Sequence, residues 1–141
     1  MEISKETFSE IIRNVGNSAC ETGGILGSKD LKHITHFCFD KYGYSTDVSY
    51  TPNVEYINAV LDNWTKEQIY FIGIVHSHAD NASPSCVDIA YAREILKTLP
   101  HLEKFYIPIV TKMNDEKIFN CFKITRKNDC FLFSPEKYNI F

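Results

Sequence analysis

The segment YFIGIVHSH, Tyr70 to His78, constrains the fold more than any other part of this chain. It is dense in β-branched and aromatic residues and apolar on both faces until His76, so neither face can be left to water. That pattern predicts a central, buried strand of a sheet. Such a strand needs covering elements and enough residues to build one core. With 141 residues, 44% of them hydrophobic and 13% aromatic, the chain suffices for one domain over residues 1–141.

The covering elements can be read from periodicity. Phe8, Ile11, Ile12 and Val15 follow helical spacing and predict a first helix that Gly16 and Asn17 stop. Ile57, Val60, Leu61 and Trp64 predict a second from about Val54 to Lys66. A third begins near Pro84 or Ser85 and carries the stripe Ala92, Ile95, Leu96 and Leu99, with Pro100 just past its end. GGILGS (23–28) and HITHFCF (33–39) read as strands joined by the turn SKD. Phe105 to Thr111 and Ile118 to Thr125 read as two more, joined by MNDEK, and Pro108 places the first at an edge or a bulge. Tyr42 to Asn53 is an extended segment or a loop, and the aromatic tail, Phe131 to Phe141, is apolar enough to pack on the body. Without a regular βαβ rhythm, and with hairpins implying antiparallel pairing, the expected fold class is mixed α/β: a largely antiparallel sheet sandwiched by helices.

Composition narrows the function. A net charge of −3 with 23% charged residues does not suit a protein that grips nucleic acid by its phosphates. The start, MEISKETFSE, lacks the basic region and apolar run of a signal peptide, and the longest apolar run, Ile72 to Val75, is far short of a bilayer span. A cytoplasmic protein without a membrane partner is expected. Five cysteines, Cys20, Cys38, Cys86, Cys121 and Cys130, form no CxxC pair and are odd in number, so they are expected to be reduced and mostly buried.

The chemistry lies in VHSHADNASPSCVDIA. His76 and His78 are two apart at the end of a strand, where alternate residues share a face, so both imidazoles can reach one ion. Asn81, Ser83 and Pro84 belong to a turn that can fold the chain back and bring Asp88 to the same place. Two histidines and one carboxylate suit catalytic Zn2+, which keeps a fourth position for water and lowers its pKa to about 7. Glu21 is a candidate general base, because Gly23 and Gly24 let its segment approach the site unobstructed. Each residue also has a plainer reading. Ser85-x-x-Asp88 makes a good capping box, Glu21 alone is a surface carboxylate, and a lone strand histidine is more often packed than ligating. His33 and His36, three apart on one predicted strand, point to opposite faces and receive no function, nor does His101. Cys86 as a nucleophile lacks a dedicated base.

Taken together, Glu21 in ETGGILG, then His76-Ser77-His78, then Pro84-Ser85-x-x-Asp88 resemble the JAMM (MPN-plus) metalloprotease family, especially its compact bacterial Jab-like members. The resemblance implies a cytidine-deaminase-like architecture. It also implies a zinc-dependent peptidase or isopeptidase cutting at or near the C-terminus of a ubiquitin-like protein or its conjugate. By that resemblance His76, His78 and Asp88 are the zinc ligands, Glu21 the general acid/base, and Ser85 the donor that stabilises the oxyanion. Nine residues separate His78 from Asp88, one fewer than the family usually has, so a tighter loop with the ligands preserved is expected. The position after the second histidine, often proline in the family, is Ala79. Short connections around the third helix leave no room for large chain-recognition insertions. Two alternatives stay open: a non-catalytic scaffold of the same fold binding protein partners, and a zinc hydrolase of a small peptide or cysteine-adduct amide. A homodimer is compatible with all three.

Overall fold

The computed structural model describes residues 1–141. Along the chain run β1 (Glu2–Ile3), α1 (Lys5–Asn14), β2 (Gly23–Ser28), β3 (His33–Ile34), β4 (His36–Phe39), β5 (Tyr44–Ser45), β6 (Tyr50–Thr51) and α2 (Val54–Lys66). There follow β7 (Tyr70–His78), α3 (Cys86–Thr98), β8 (Lys104–Tyr106), β9 (Ile109–Met113), β10 (Glu116–Asn120), β11 (Phe122–Lys127), β12 (Cys130–Pro135) and β13 (Asn139–Ile140). The arrangement is mixed α/β, with three helices and an eight-stranded, mostly antiparallel sheet.

Strand β7 is central, as its two-sided apolarity requires. On one edge it pairs antiparallel with β2, in the register Gly23 opposite His76 and Ile25 opposite Ile74. On the other it pairs in parallel with two strands in succession, β8 at Tyr106 and then β9 from Ile109. These are the two halves of the strand expected over Phe105 to Thr111, interrupted at Ile107 and Pro108. Proline has no N–H to give a ladder, but the Pro108 carbonyl accepts from the His76 N–H at 3.2 Å. Pro108 therefore marks a break inside the sheet and not an edge. The neighbouring strand is likewise broken at Cys121 into β10, which pairs with β9, and β11, which pairs with β8. The MNDEK turn tightens onto Asn114 and Asp115, whose φ values of 51° and 64° suit a two-residue hairpin connection.

HITHFCF is also two strands. Thr35 breaks it, sending β3 into a parallel three-stranded sheet with β1 and β13, while β4 pairs with β2. His33 and His36 therefore lie in different sheets, which replaces the expectation of opposite faces on one strand. The segment after β4 forms the short hairpin β5–β6.

Helix α1 starts at Ser4, whose side chain accepts from the Thr7 N–H, and buries Ile11 and the following Val15 completely. It packs toward the face of β7 that carries Ser77, beside Val110. Helices α2 and α3 cover the opposite face, where Ile74 and His76 lie, burying Ile57, Trp64, Ala92 and Leu96. The Arg126 guanidinium closes the C-terminal end of α3 by donating to the carbonyls of Leu96 and Leu99. The aromatic tail packs on the body only in part: β12 extends the large sheet, and Tyr138 stacks on Phe8 and meets Phe119 edge-on, while Leu132, Phe133, Ile140 and Phe141 stay exposed.

The five cysteines are all free, yet only Cys121 is buried; Cys38 is half-buried and Cys20, Cys86 and Cys130 are exposed. The expectation of mostly buried thiols fails because three of them sit in a loop, at a helix start and at a strand end, where no second layer covers them. No helix is long and apolar enough to cross a membrane.

A Cβ at Gly24 would stand 2.3 Å from the Cys38 carbonyl oxygen and 2.7 Å from the Phe37 ring, so β2 and β4 can pair this closely only with glycine there. Gly24→Ala should lower stability to urea by about 1–3 kcal/mol. An unchanged midpoint would show that the close approach is not needed.

Candidate metal centre

The register between β2 and β7 assembles the site. Gly23 faces His76, and continuing the same antiparallel step puts Glu21 beside His78. Between the two histidines, Ser77 points to the other face and fixes that step. Its N–H donates to the Thr22 carbonyl at 2.8 Å, and its hydroxyl oxygen accepts from the Thr22 N–H at 2.9 Å. Glu21 is thereby tied to β7 through its neighbour and is buried, 9% exposed, instead of being the surface carboxylate of the plainer reading. A Cβ at Gly23 would lie 2.5 Å from the Tyr50 ring. The glycine admits Tyr50 to the site, where its ring stacks on His76 with centroids 6.2 Å apart.

Asp88 arrives from the other direction. Ser85 is the N-cap of α3, accepting from the Asp88 N–H at 3.1 Å, while Asp88 Oδ2 accepts from the Ser85 N–H at 2.7 Å. The capping box is present, and it aims the same carboxylate oxygen at the histidines. Oδ2 lies 3.2 Å from His76 Nε2 and 3.3 Å from His78 Nε2, and the two Nε2 atoms are 3.0 Å apart. Capping and ligation are thus compatible uses of one side chain. Glu21 is close as well: its carboxylate and the two histidines offer donor atoms within 4.8 Å of one another.

These donors fit a zinc ion. Tetrahedral zinc with bonds near 2.0–2.1 Å holds its ligand atoms about 3.3–3.4 Å apart, and the triangle of His76, His78 and Asp88, at 3.0–3.3 Å, is slightly tighter than that spacing. The Asn81 carbonyl can only accept, so His78 Nδ1, 3.0 Å away, donates to it, and in a neutral ring this would leave the Nε2 lone pair facing inward. His76 Nδ1 is buried without a partner. One proton on His76 Nε2 could satisfy one of the three contacts, whereas a cation at the centre satisfies all three. Glu21, within reach of both histidines but outside the tighter triangle, is placed to act beside such an ion.

The electrostatics suit proton transfer. Burial raises the Glu21 pKa above the ordinary glutamate value, against the pull of His78 and His76. Burial acts the same way on Asp88, but its contacts with His76, His78 and the Ser85 N–H prevail and hold it well below the usual carboxylate range. Two neighbouring carboxyls are therefore driven apart.

The structure brings Glu21, His76, His78, Ser85 and Asp88 together and leaves His33, His36 and His101 away from them. Sequence reasoning missed Tyr50 and Asp40, and read Asn81 only as a turn residue and not as the partner of the His78 ring. Buried Asp40 accepts from the Tyr50 hydroxyl and the Asn53 N–H, both at 2.8 Å, and so holds the hairpin over His76. An aromatic residue two positions before Pro52 was the only signal for this contact.

No family profile and no curated protein matches the chain. Among solved structures it is similar to the solution structure of protein DSY2949 from Desulfitobacterium hafniense, with a TM-score of 0.71 over 99% of this chain and 92% of that one. Their sequences are 17% identical, so the likeness speaks to the mixed α/β fold alone.

The triangle predicts that the purified chain carries about one zinc by elemental analysis, and that His76→Ala reduces this to about a tenth or less. Undiminished zinc in the variant would remove His76 from the ligand set.

Proposed function

We propose that this chain is a zinc-dependent peptidase or isopeptidase of JAMM type, hydrolysing the amide bond at or near the C-terminus of a ubiquitin-like protein. The observation that carries the reading is the convergence of His76 Nε2, His78 Nε2 and Asp88 Oδ2 to 3.0–3.3 Å of one another, with Glu21 beside them. Bound there, zinc would supply Lewis acidity toward the carbonyl and lower the pKa of water.

The remaining work falls to the chain. Glu21 takes a proton from the attacking water and returns it to the departing nitrogen. The carbon gains a C–O bond, the C–N bond breaks, and the products are a carboxylic acid and an amine. A raised pKa suits both halves of that transfer. Ser85 Oγ already accepts from the Asp88 N–H, and its own O–H has no acceptor within the chain. That proton is free to donate to the oxyanion formed as the carbonyl is attacked. Asn81 holds the His78 ring, and Tyr50 backs the His76 ring.

Ubiquitin-like fusions assayed for cleavage test this reading. Glu21→Gln should keep its zinc and lose turnover by at least about 10²-fold. Full activity would assign the proton transfer to another group. Ser85→Ala removes both an oxyanion donor and a cap, so turnover should fall by about 10²–10³-fold while stability falls by only about 1 kcal/mol. Normal turnover per folded molecule would leave Ser85 as a cap alone. A wild-type chain that takes up no zinc would favour the non-catalytic scaffold.

A further inference from the structure

The large sheet ends in β10 on one side and β12 on the other. An open edge is a template for a further strand, and proteins usually shield it with charge, a bulge or a covering segment. Strand β10 carries Glu116 and Lys117. Strand β12, CFLFSP, has no charged residue, and its register against β11 runs without a bulge. Leu132 is 51% exposed and Phe133 40%.

The ladder shows which backbone groups β12 leaves free. The Arg126 N–H donates to the Glu103 carbonyl, and the Phe122 carbonyl accepts from the Ile107 N–H. Both β11 residues thus turn their backbone groups away from β12. Hydrogen bonding alternates along an antiparallel pair, so their partners Phe131 and Pro135, and Phe133 between them, aim their backbone groups outward. Proline on an edge costs no ladder bond when its missing N–H would have faced solvent, and Pro135 sits in such a position. The Glu136 N–H, next in the alternation, returns to the Cys121 carbonyl.

Side chains alternate in the same way. Phe131, Phe133 and Pro135 share the face of Phe122 and Ile124, and the Phe133 ring stacks on Phe122 with centroids 5.6 Å apart. This apolar row is flanked by opposite charges, Asp129 before it and Lys137 after it, both exposed.

We propose that β12 is a self-association edge: a second copy of this chain pairs with it antiparallel about a two-fold axis at Phe133, joining two sheets into one. A two-fold contact requires a self-complementary surface, and this register supplies one. Phe133 meets Phe133 of the second copy, Phe131 meets Pro135, and Asp129 faces Lys137 at both ends. Each outward N–H, of Phe131 and of Phe133, finds a carbonyl. The charges choose among registers. An axis at Leu132 sets Lys127 against Lys137, and like charges opposite each other repel; an axis at Phe131 leaves Asp129 facing Phe133. One strand a side buries less than the roughly 800 Å² per partner of a standard interface, so association is weak and depends on concentration. Strands β8 and β11 separate β12 from β7, so pairing leaves the candidate metal centre open.

Sedimentation equilibrium tests the pairing. The 16.3 kDa chain should approach twice its mass as concentration rises from about 5 to about 500 µM. Asp129→Lys should weaken association at least about 3-fold, and adding Lys137→Asp to it should restore the wild-type value. Both changes lie at exposed positions, and circular dichroism checks that the fold is kept. Phe133→Lys, which sets like charges on the axis, should weaken association at least about 10-fold. A chain that stays monomeric over the whole range overturns the proposal. So does a dimer indifferent to these variants, because its contact then lies elsewhere on the surface. A charge-swapped double variant no tighter than Asp129→Lys alone overturns the pairing of Asp129 with Lys137, and with it the axis at Phe133.

Discussion

The pairing of β2 with β7 is the constraint on which the rest of the site depends. It is antiparallel, so opposite residues share a face. Gly23 facing His76 therefore delivers Glu21 to His78 and opens the space that the Tyr50 ring fills. A slip of one residue would turn Glu21 to the far side of the sheet. Several features guard against it: the two glycines pack against side chains and backbone with no space for a Cβ, and Ser77 holds Thr22 through both its backbone and its hydroxyl. The apolar character of β7 then becomes a positioning device. Because Ile74 and Val75 are buried on opposite faces, the histidines that continue the strand inherit a fixed direction.

Helix α3 supplies the complementary constraint. Its first turn must satisfy free N–H groups, and Ser85 and Asp88 do so reciprocally. The helix dipole favours a negative charge at the same end. A carboxylate that local helix chemistry would select in any case is thus presented to the two imidazoles. Sheet register and helix capping, each explicable without reference to chemistry, meet at one point.

Much of this was legible in the residues. Two-sided apolarity marked β7, helical spacing bounded α2 at Val54 and Lys66, and the glycine-rich run bounded β2. The approach of Asp88 to the histidines followed from turn residues and a cap. What escaped depends on contacts between distant segments. Pro108 could be read as an edge or a bulge, and only the parallel partners β8 and β9 show it to be an interior break whose carbonyl still serves His76. The division of HITHFCF between two sheets depends on β1, a two-residue strand with no pattern of its own. The cysteines were misread because hydrophobic character says what a residue prefers, while exposure is set by what happens to lie above it. Tyr50 looked like part of an aromatic loop, since its role arises from Asp40, ten residues earlier in the chain.

The Ser85 N–H that holds Asp88 Oδ2 has a further consequence. This contact belongs to the helix start and requires no cation, and both histidines continue a strand already locked in the sheet. The candidate ligand atoms are therefore preorganised by the fold, unlike those of small zinc domains in which ion binding and folding are one event. Loading such a site calls for little rearrangement. On the zinc reading proposed above, a chelator would remove the ion while leaving the architecture standing.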